Sequence, residues 1–158
     1  MKARKVKNLD PEGPLAENAA RIVRVRTDEL RSFAPKALDP QNSADQHDMR
    51  IAAKRMRYVL EATELCFGKP AATARRSARD LQSLLGELHD CDVMLPRVER
   101  HLAELREQDG EQDGGLETLI VSLEARRRLL FEGFTELWAE QERAGTWDTL
   151  DRAAAKAA

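Results

Sequence analysis

Apolar residues recur every three or four positions along most of this chain, and that spacing restricts the possible folds more than any other feature. At about 100° per residue, it gathers apolar side chains on one face of an α-helix. The clearest run is Leu15, Ala19, Ile22, Val23, Leu30 and Phe33. Ala, Leu, Arg and Glu are prominent while Ile, Val, Phe and Tyr are scarce, which favours helices over sheets. The chain is therefore predicted to be all-α.

Prolines, glycines and capping residues divide this pattern into helices. The predicted helices are residues 14–34, 44–67, 70–105 and 116–143, with a short helix after Thr146. Pro35 is expected to end the first helix, a capping box of Ser43 and Gln46 to begin the second, and Gly68 to end it. Pro96 is expected to kink or break the third helix within residues 90–96, because proline lacks a backbone donor.

The domain organisation follows from length and loop positions. A chain of 158 residues is the size of one ordinary domain. We expect a flexible basic tail at 1–13, a single helical domain at 14–145, and a short helix or a frayed end at 146–158. The glycine-punctuated polar stretch 107–115 is predicted to be a loop. Four long amphipathic helices joined by loops predict an antiparallel four-helix bundle.

Charge is distributed unevenly along the chain. Residues 1–89 hold 17 Lys and Arg against 12 Asp and Glu, whereas residues 90–158 hold 9 against 16. The overall net charge is −2. An anionic partner is therefore expected to contact the first half of the chain.

The second predicted helix has a cationic face opposite its apolar face. The apolar face carries Met49, Ala52, Met56, Val59, Leu60 and Thr63, and the opposite face carries His47, Arg50, Lys54, Arg57 and Tyr58. Packing requires no such line of cations. Guanidinium and ammonium groups in a line suit a run of phosphates better than one carboxylate, and the nearby helix N-terminus adds positive potential.

A second polar stripe is predicted on helix 3, formed by Arg75, Arg79, Gln82, Gly86 and His89. Two further arginines, Arg26 and Arg127, interrupt the apolar stripes of helices 1 and 4. A buried lone charge costs several kcal/mol, about 3–5, unless it is paired or hydrated. These two arginines therefore either have acidic partners, with Asp90 and Asp92 as candidates, or line a polar cavity.

Three other classes of function compete with anion binding. A metal-dependent phosphohydrolase would draw its ligands from His47, His89, His101, Asp90 and Asp92, but Arg50 and Lys54 beside His47 would repel a divalent cation. The sequence contains no glycine-rich phosphate loop, zinc-binding His pair or recognisable nucleophile motif. A nucleic-acid binder and a purely structural dimerisation module remain as alternatives.

The compartment was predicted from three features of the sequence. Cys66 and Cys91 are the only cysteines and are expected to be buried thiols. The basic start is not followed by the apolar run of a secretory signal, and no stretch approaches a membrane span. These features predict a soluble, cytoplasmic protein.

Two segments resemble the CHAD family, whose name stands for conserved histidine α-helical domain. Residues 47–61 read His-x-x-Arg-x-x-x-Lys-Arg-x-Arg-Tyr-x-Leu-Glu, and residues 81–90 read Leu-Gln-x-Leu-Leu-Gly-x-Leu-x-Asp. The resemblance implies a non-catalytic helical module that binds inorganic polyphosphate through a basic central cavity, without a cofactor or metal. It also implies association with polyphosphate granules as a further expectation for localisation.

The resemblance assigns binding roles to particular positions. The family's histidine and basic positions fall on His47, Arg50, Lys54, Arg55 and Arg57, and more loosely on Arg75, Arg76 and Arg79. Together with Tyr58, Arg26 and Arg127 from the helical patterns above, these residues are expected to contact polyphosphate. Proteins of this family usually contain two copies of a four-helix unit, whereas this chain holds one. We therefore expect a homodimer that rebuilds the cavity. His89 stands where the family often has arginine or another polar residue, which puts the role of that position in doubt.

Overall fold

The computed structural model describes residues 2–109 and 114–157, and in these ranges all regular structure is helical. The all-α prediction is confirmed. The helices are α1 (Leu15–Ala37), α2 (Ser43–Phe67), α3 (Lys69–Asp109), α4 (Gly114–Arg143) and α5 (Thr146–Ala157). The predicted loop at 107–115 is shorter at both ends, and its residues 110–113 lie outside the described part of the chain.

The signals predicted for the end of α1 and the start of α2 were wrong. Helix α1 does not end at Pro35 but continues to Ala37, because the N–H groups of Leu38 and Asp39 still bond to carbonyls in its last turn. The capping box at the start of α2 is absent. Asn42 is the N-cap instead, and its side chain accepts a hydrogen bond of 3.3 Å from the backbone N–H of Asp45.

Helix α3 continues through Pro96, so the predicted break does not occur. Proline removes one backbone donor, and the hydrogen bonds on either side suffice to continue the helix. A bend of the helix axis at 90–96 stays a prediction. Gly68 ends α2 as predicted, with a positive φ of 61°.

The core lies mainly among α1, α2, α3 and α5. Each of α2, α3 and α4 packs against its predecessor, and α5 contacts all four other helices. The C-terminal segment is thus a packed helix rather than a frayed end, with Trp147, Leu150 and Ala154 almost fully buried. Closure of α1 to α4 into a four-helix bundle stays a prediction.

The N-terminal segment runs against α1. The backbone N–H of Arg4 donates to Glu29 Oε1 at 2.9 Å, and the backbone N–H of Asp10 donates to Asn18 Oδ1 at 2.9 Å. Along the described helices, no stretch has both the length and the apolar character needed to span a membrane.

Candidate functional site

Helix α2 presents its cations outward because its opposite face is held in the core. Met49, Met56 and Leu60 are completely buried. His47, Arg50, Lys54 and Arg57 are partly buried, and Tyr58 is 49% exposed. The two faces predicted from the helical periodicity are therefore present in the structure.

The polar stripe of α3 lies beside the cationic stripe of α2. The ring centroids of His47 and His89 are 4.4 Å apart, and a Cβ added to Gly86 would lie 4.0 Å from Arg50 Cδ. The helices are antiparallel, so the same register places Lys54 opposite Gln82 and Arg57 opposite Arg79. We call this surface the α2/α3 face. Its members are His47, Arg50, Lys54, Arg57, Arg79, Gln82, Gly86 and His89.

Several polar atoms on the α2/α3 face are buried without a hydrogen bond to any described residue. They are His47 Nδ1, Arg50 Nε, Arg57 Nε and Gln82 Oε1. Buried polar atoms normally have a partner, since leaving one unsatisfied costs about 1–3 kcal/mol. This face therefore holds unused hydrogen-bonding capacity.

The exposed ring of Tyr58 lies close to two cations. The Arg57 guanidinium carbon is 4.7 Å from the ring centroid, and Lys54 Nζ is 5.8 Å from it. These are cation–π distances. Arg57 Nε is buried and also lies 3.5 Å from Oε1 of the exposed Glu61, without hydrogen-bond geometry, so this ion pair contributes little stability. The Tyr58 ring therefore lies within cation–π distance of two cations of the α2/α3 face.

Burial lowers the pKa of His47 below its ordinary value, and the nearby positive charge of His89 and Arg50 lowers it further. Asp48 acts in the opposite direction with a smaller effect. At neutral pH the free His47 side chain is therefore uncharged, and the two arginines and the lysine supply the positive charge of the α2 stripe.

The three predicted arginines at the start of α3 have different surroundings. Arg75 Nε donates to Glu64 Oε2 at 2.6 Å, which joins α3 to α2. Arg76 is exposed and bonds Thr73 within its own helix. Arg79 is also exposed and bonds its neighbour Asp80 at 3.1 Å. Of these three, the register places Arg79 on the α2/α3 face.

Arg26 of α1 and Arg55 of α2 both bind the buried carboxylate of Glu29, away from the α2/α3 face. Glu29 is only 1% exposed and accepts hydrogen bonds from both guanidinium groups and from the backbone N–H of Arg4. Arg26 also donates to the carbonyl oxygen of Arg4 at 2.8 Å. Of the two alternatives for Arg26, the structure shows the acidic partner, and it places neither arginine on the α2/α3 face.

Arg127 is likewise bound to an acid. Its Nε donates to Asp92 Oδ1 at 2.5 Å, and its Nη2 donates to Gln46 Oε1 at 3.3 Å. The Gln46 amide donates in turn to the carbonyl oxygen of Asp39 at 2.8 Å, beyond the end of α1. Asp92 was one of the two predicted partners. This network ties α4 to α2 and α3.

The candidate metal ligands do not converge among the described residues, where no group of three or more His, Cys, Asp and Glu side chains could hold an ion. His47 and His89 are adjacent, but His101 is exposed and lies 3.9 Å from Glu104. Asp92 bonds to Arg127. Both cysteines are free thiols. Cys91 is buried as predicted and burial raises its pKa, whereas Cys66 is only partly buried, so that part of the prediction was wrong.

Reasoning from the sequence missed two residues that organise the surroundings of the site. Glu29 was overlooked although it follows Arg26 by one helical turn, a spacing that allows an ion pair. Gln46 was assigned to a capping box, yet it is 2% exposed and links three helices through its amide.

Comparison with known families gave one match. A family model described as CHAD domain matches residues 2–99, which include α1, α2 and about the first three quarters of α3. No curated protein matches the chain. No solved structure matches it either.

Proposed function

The chain belongs to the CHAD domain family, and from this premise we propose that it binds inorganic polyphosphate along the α2/α3 face. CHAD domains are associated with polyphosphate binding and are generally binding modules rather than catalysts. The proposed role of this chain is accordingly non-catalytic.

The meeting of two polar stripes carries the proposal. Arg50, Lys54 and Arg57 form a line on α2, and the register brings Arg79 opposite its far end. His47 Nδ1, Arg50 Nε and Gln82 Oε1 are buried without a partner among the described residues. A cationic nitrogen can donate a hydrogen bond to a phosphate oxygen. Gln82 Oε1 can accept one from a protonated phosphate or from a bridging water.

The length of the stripe favours a chain of phosphates over a single one. From His47 to Arg57 the helix rises about 15 Å, at about 1.5 Å per residue. Several successive phosphates can therefore contact α2 together. Arg26, Arg55 and Arg127 are excluded from this refined binding set, because largely buried carboxylates bind their guanidinium groups. The carboxylates beside Arg57 and Arg79 are exposed, and such pairs are easily exchanged for a phosphate.

A binding titration with polyphosphate of defined chain length tests the proposal. The variant in which Arg50, Lys54 and Arg57 are all replaced by Ala should lose binding at physiological salt and keep its helical circular dichroism. A matched control replaces Arg24, Lys36 and Arg143, which are exposed cations of the same types elsewhere on the surface. The control should bind like wild type. Equal loss in both variants would show that only net charge matters.

Other polyanions and reactions are outcomes of the same experiment. Competition by single-stranded or duplex nucleic acid at equal phosphate concentration would support nucleic-acid binding instead. Release of orthophosphate during the titration would support an enzyme. Failure to bind any polyanion would leave a structural module.

A further inference from the structure

Glycine occupies position 86, in the interior of helix α3. It is less favourable there than alanine, because glycine loses more backbone freedom on folding. Gly86 does not have the positive φ that favours glycine, which among the described glycines occurs at Gly68 and Gly145. Outside the backbone of α3, a Cβ added to Gly86 would meet one atom within 4 Å, Arg50 Cδ, at 4.0 Å. Neither backbone conformation nor close helix packing therefore accounts for the missing side chain.

The one contact of position 86 is with the side chain of a cation on the α2/α3 face. Arg50 is partly buried, and its Nε is buried without a hydrogen-bond partner among the described residues. Its Cδ, the carbon bonded to Nε, lies over Gly86. The aliphatic stem of Arg50 therefore extends from α2 across the bare backbone of α3. This brings the guanidinium group between the two polar stripes.

We propose that Gly86 is a positioning residue for phosphate binding, because its missing side chain leaves the space in which Arg50 lies. This inference rests on the proposed function, since Arg50 is one of the three α2 cations assigned to the phosphate chain. An arginine held in one place loses less side-chain freedom on binding than a mobile one does. Gly86 thus increases the affinity for polyphosphate without itself contacting the ligand.

Two substitutions at position 86 test the role of this space. Gly86→Ala adds one carbon at an ordinary contact distance from Arg50, so polyphosphate affinity should stay within about twofold of wild type. Isoleucine branches at Cβ and is restricted to few rotamers in a helix, so Gly86→Ile should displace the Arg50 side chain. Its affinity should fall by at least about tenfold, the loss of one charge-assisted hydrogen bond. Gly86→Leu is the second variant should isoleucine prevent folding.

A matched control uses Gly133, in the interior of α4. A Cβ there would also meet one side chain at an ordinary distance, that of Leu84 at 3.8 Å, and its φ is not positive. Leu84 lies about 200° around α3 from Gly86, away from the α2/α3 face. Gly133→Ile should therefore bind polyphosphate like wild type. Circular dichroism and thermal unfolding verify that each variant is folded.

Combination with Arg50→Ala shows whether Gly86 acts through the arginine. Affinities are measured at a salt concentration at which Arg50→Ala still binds. In that background Gly86→Ile should change the affinity by less than about twofold, because the side chain that it displaces is absent. A loss of about tenfold that persists without Arg50 would show that isoleucine obstructs the ligand itself, and it would overturn the proposal.

A measurement without ligand keeps this inference separate from the proposed function. The buried Arg50 Nε–H is shielded from water, so its hydrogen should exchange slowly and give a visible nitrogen–hydrogen NMR resonance, identified by its loss in Arg50→Ala. The resonance should stay in Gly86→Ala and move or disappear in Gly86→Ile. An unchanged resonance in Gly86→Ile, or wild-type affinity in that variant, would overturn the positioning role. A wild-type protein that binds no polyphosphate would instead contradict the proposed function.

Discussion

The imidazole rings of His47 on α2 and His89 on α3 lie 4.4 Å apart at an interplanar angle of 46°, at one end of the α2/α3 face. Burial, His89 and Arg50 together lower the pKa of His47. Because this shift exists only in the folded chain, His47 couples both folding and anion binding to pH.

The free energy of unfolding should decrease in mild acid because of His47. The folded-state pKa of His47 lies below the unfolded value of 6.5, so the unfolded state binds more protons between the two pKa values. The contribution of His47 to the free energy of unfolding is therefore fully present above pH 6.5, and it is lost as pH falls towards the folded-state pKa. Urea unfolding at about pH 7.5 and 5.5 should show a larger loss for wild type than for His47→Gln. Parallel pH profiles would contradict this.

Polyphosphate affinity should increase as pH falls, in part because His47 becomes protonated. A bound phosphate stabilises the imidazolium ion, so binding raises the pKa of His47 and takes up protons. Calorimetry in two buffers of different ionisation enthalpy measures that uptake. His47→Gln should take up fewer protons, and comparison with it separates His47 from the titration of the ligand itself. Identical proton uptake in both proteins would exclude His47.

Polyphosphate affinity should fall steeply with salt, because each phosphate contact releases counterions. The slope of log affinity against log salt should be less steep by roughly 2 to 3 when Arg50, Lys54 and Arg57 are replaced by Ala. Residual binding of the triple variant at low salt is sufficient for the measurement. An unchanged slope would place the contacts elsewhere.

Glu29→Ala should destabilise the fold by about 3–5 kcal/mol, because it leaves the Arg26 guanidinium, 11% exposed, without its carboxylate. The matched control is Glu17→Ala in the same helix. Glu17 forms an exposed pair with Arg21 at 3.5 Å, and its loss should cost less than about 1 kcal/mol. Urea unfolding measures the free energy of unfolding of both variants. Similar losses of stability would show that the buried carboxylate of Glu29 contributes no more than an exposed one.

Gly68→Ala should destabilise the fold by about 1–3 kcal/mol, because its positive φ of 61° between α2 and α3 is unfavourable for any residue with a Cβ. The space around it is open, so the cost is one of backbone conformation. Gly114→Ala also meets open space but carries no positive φ, and it should change stability by less than about 0.5 kcal/mol. Thermal unfolding compares the two.

Periodicity predicted the helices well and their ends less well. The helical character of α1 to α4 and the two faces of α2 follow from spacing along the chain. Pro35 was misread because a proline removes one backbone donor without necessarily ending a helix, and Gln46 because its amide has a tertiary role. Gln46 could cap its helix locally, but the fold buries its amide between the end of α1 and Arg127.

The candidate site, too, was only partly predictable from the sequence. The cationic stripe from His47 to Arg57 was visible as a pattern, since residues three or four apart share a face of any helix. The apposition of His47 with His89 was not, because it depends on the register between two helices.

By itself, the sequence determined a helical chain with a cationic stripe opposite an apolar one, together with two motifs of its family. Only the tertiary structure decided which cations remain available to an anion. Arg26 and Arg55 bind Glu29, and Arg127 binds Asp92, so these arginines neutralise carboxylates inside the protein. The physical reason is that the environment of a charge depends on the groups that other helices bring within a few ångströms. Residues 26 or 35 positions apart in sequence share no periodicity that could reveal such a contact.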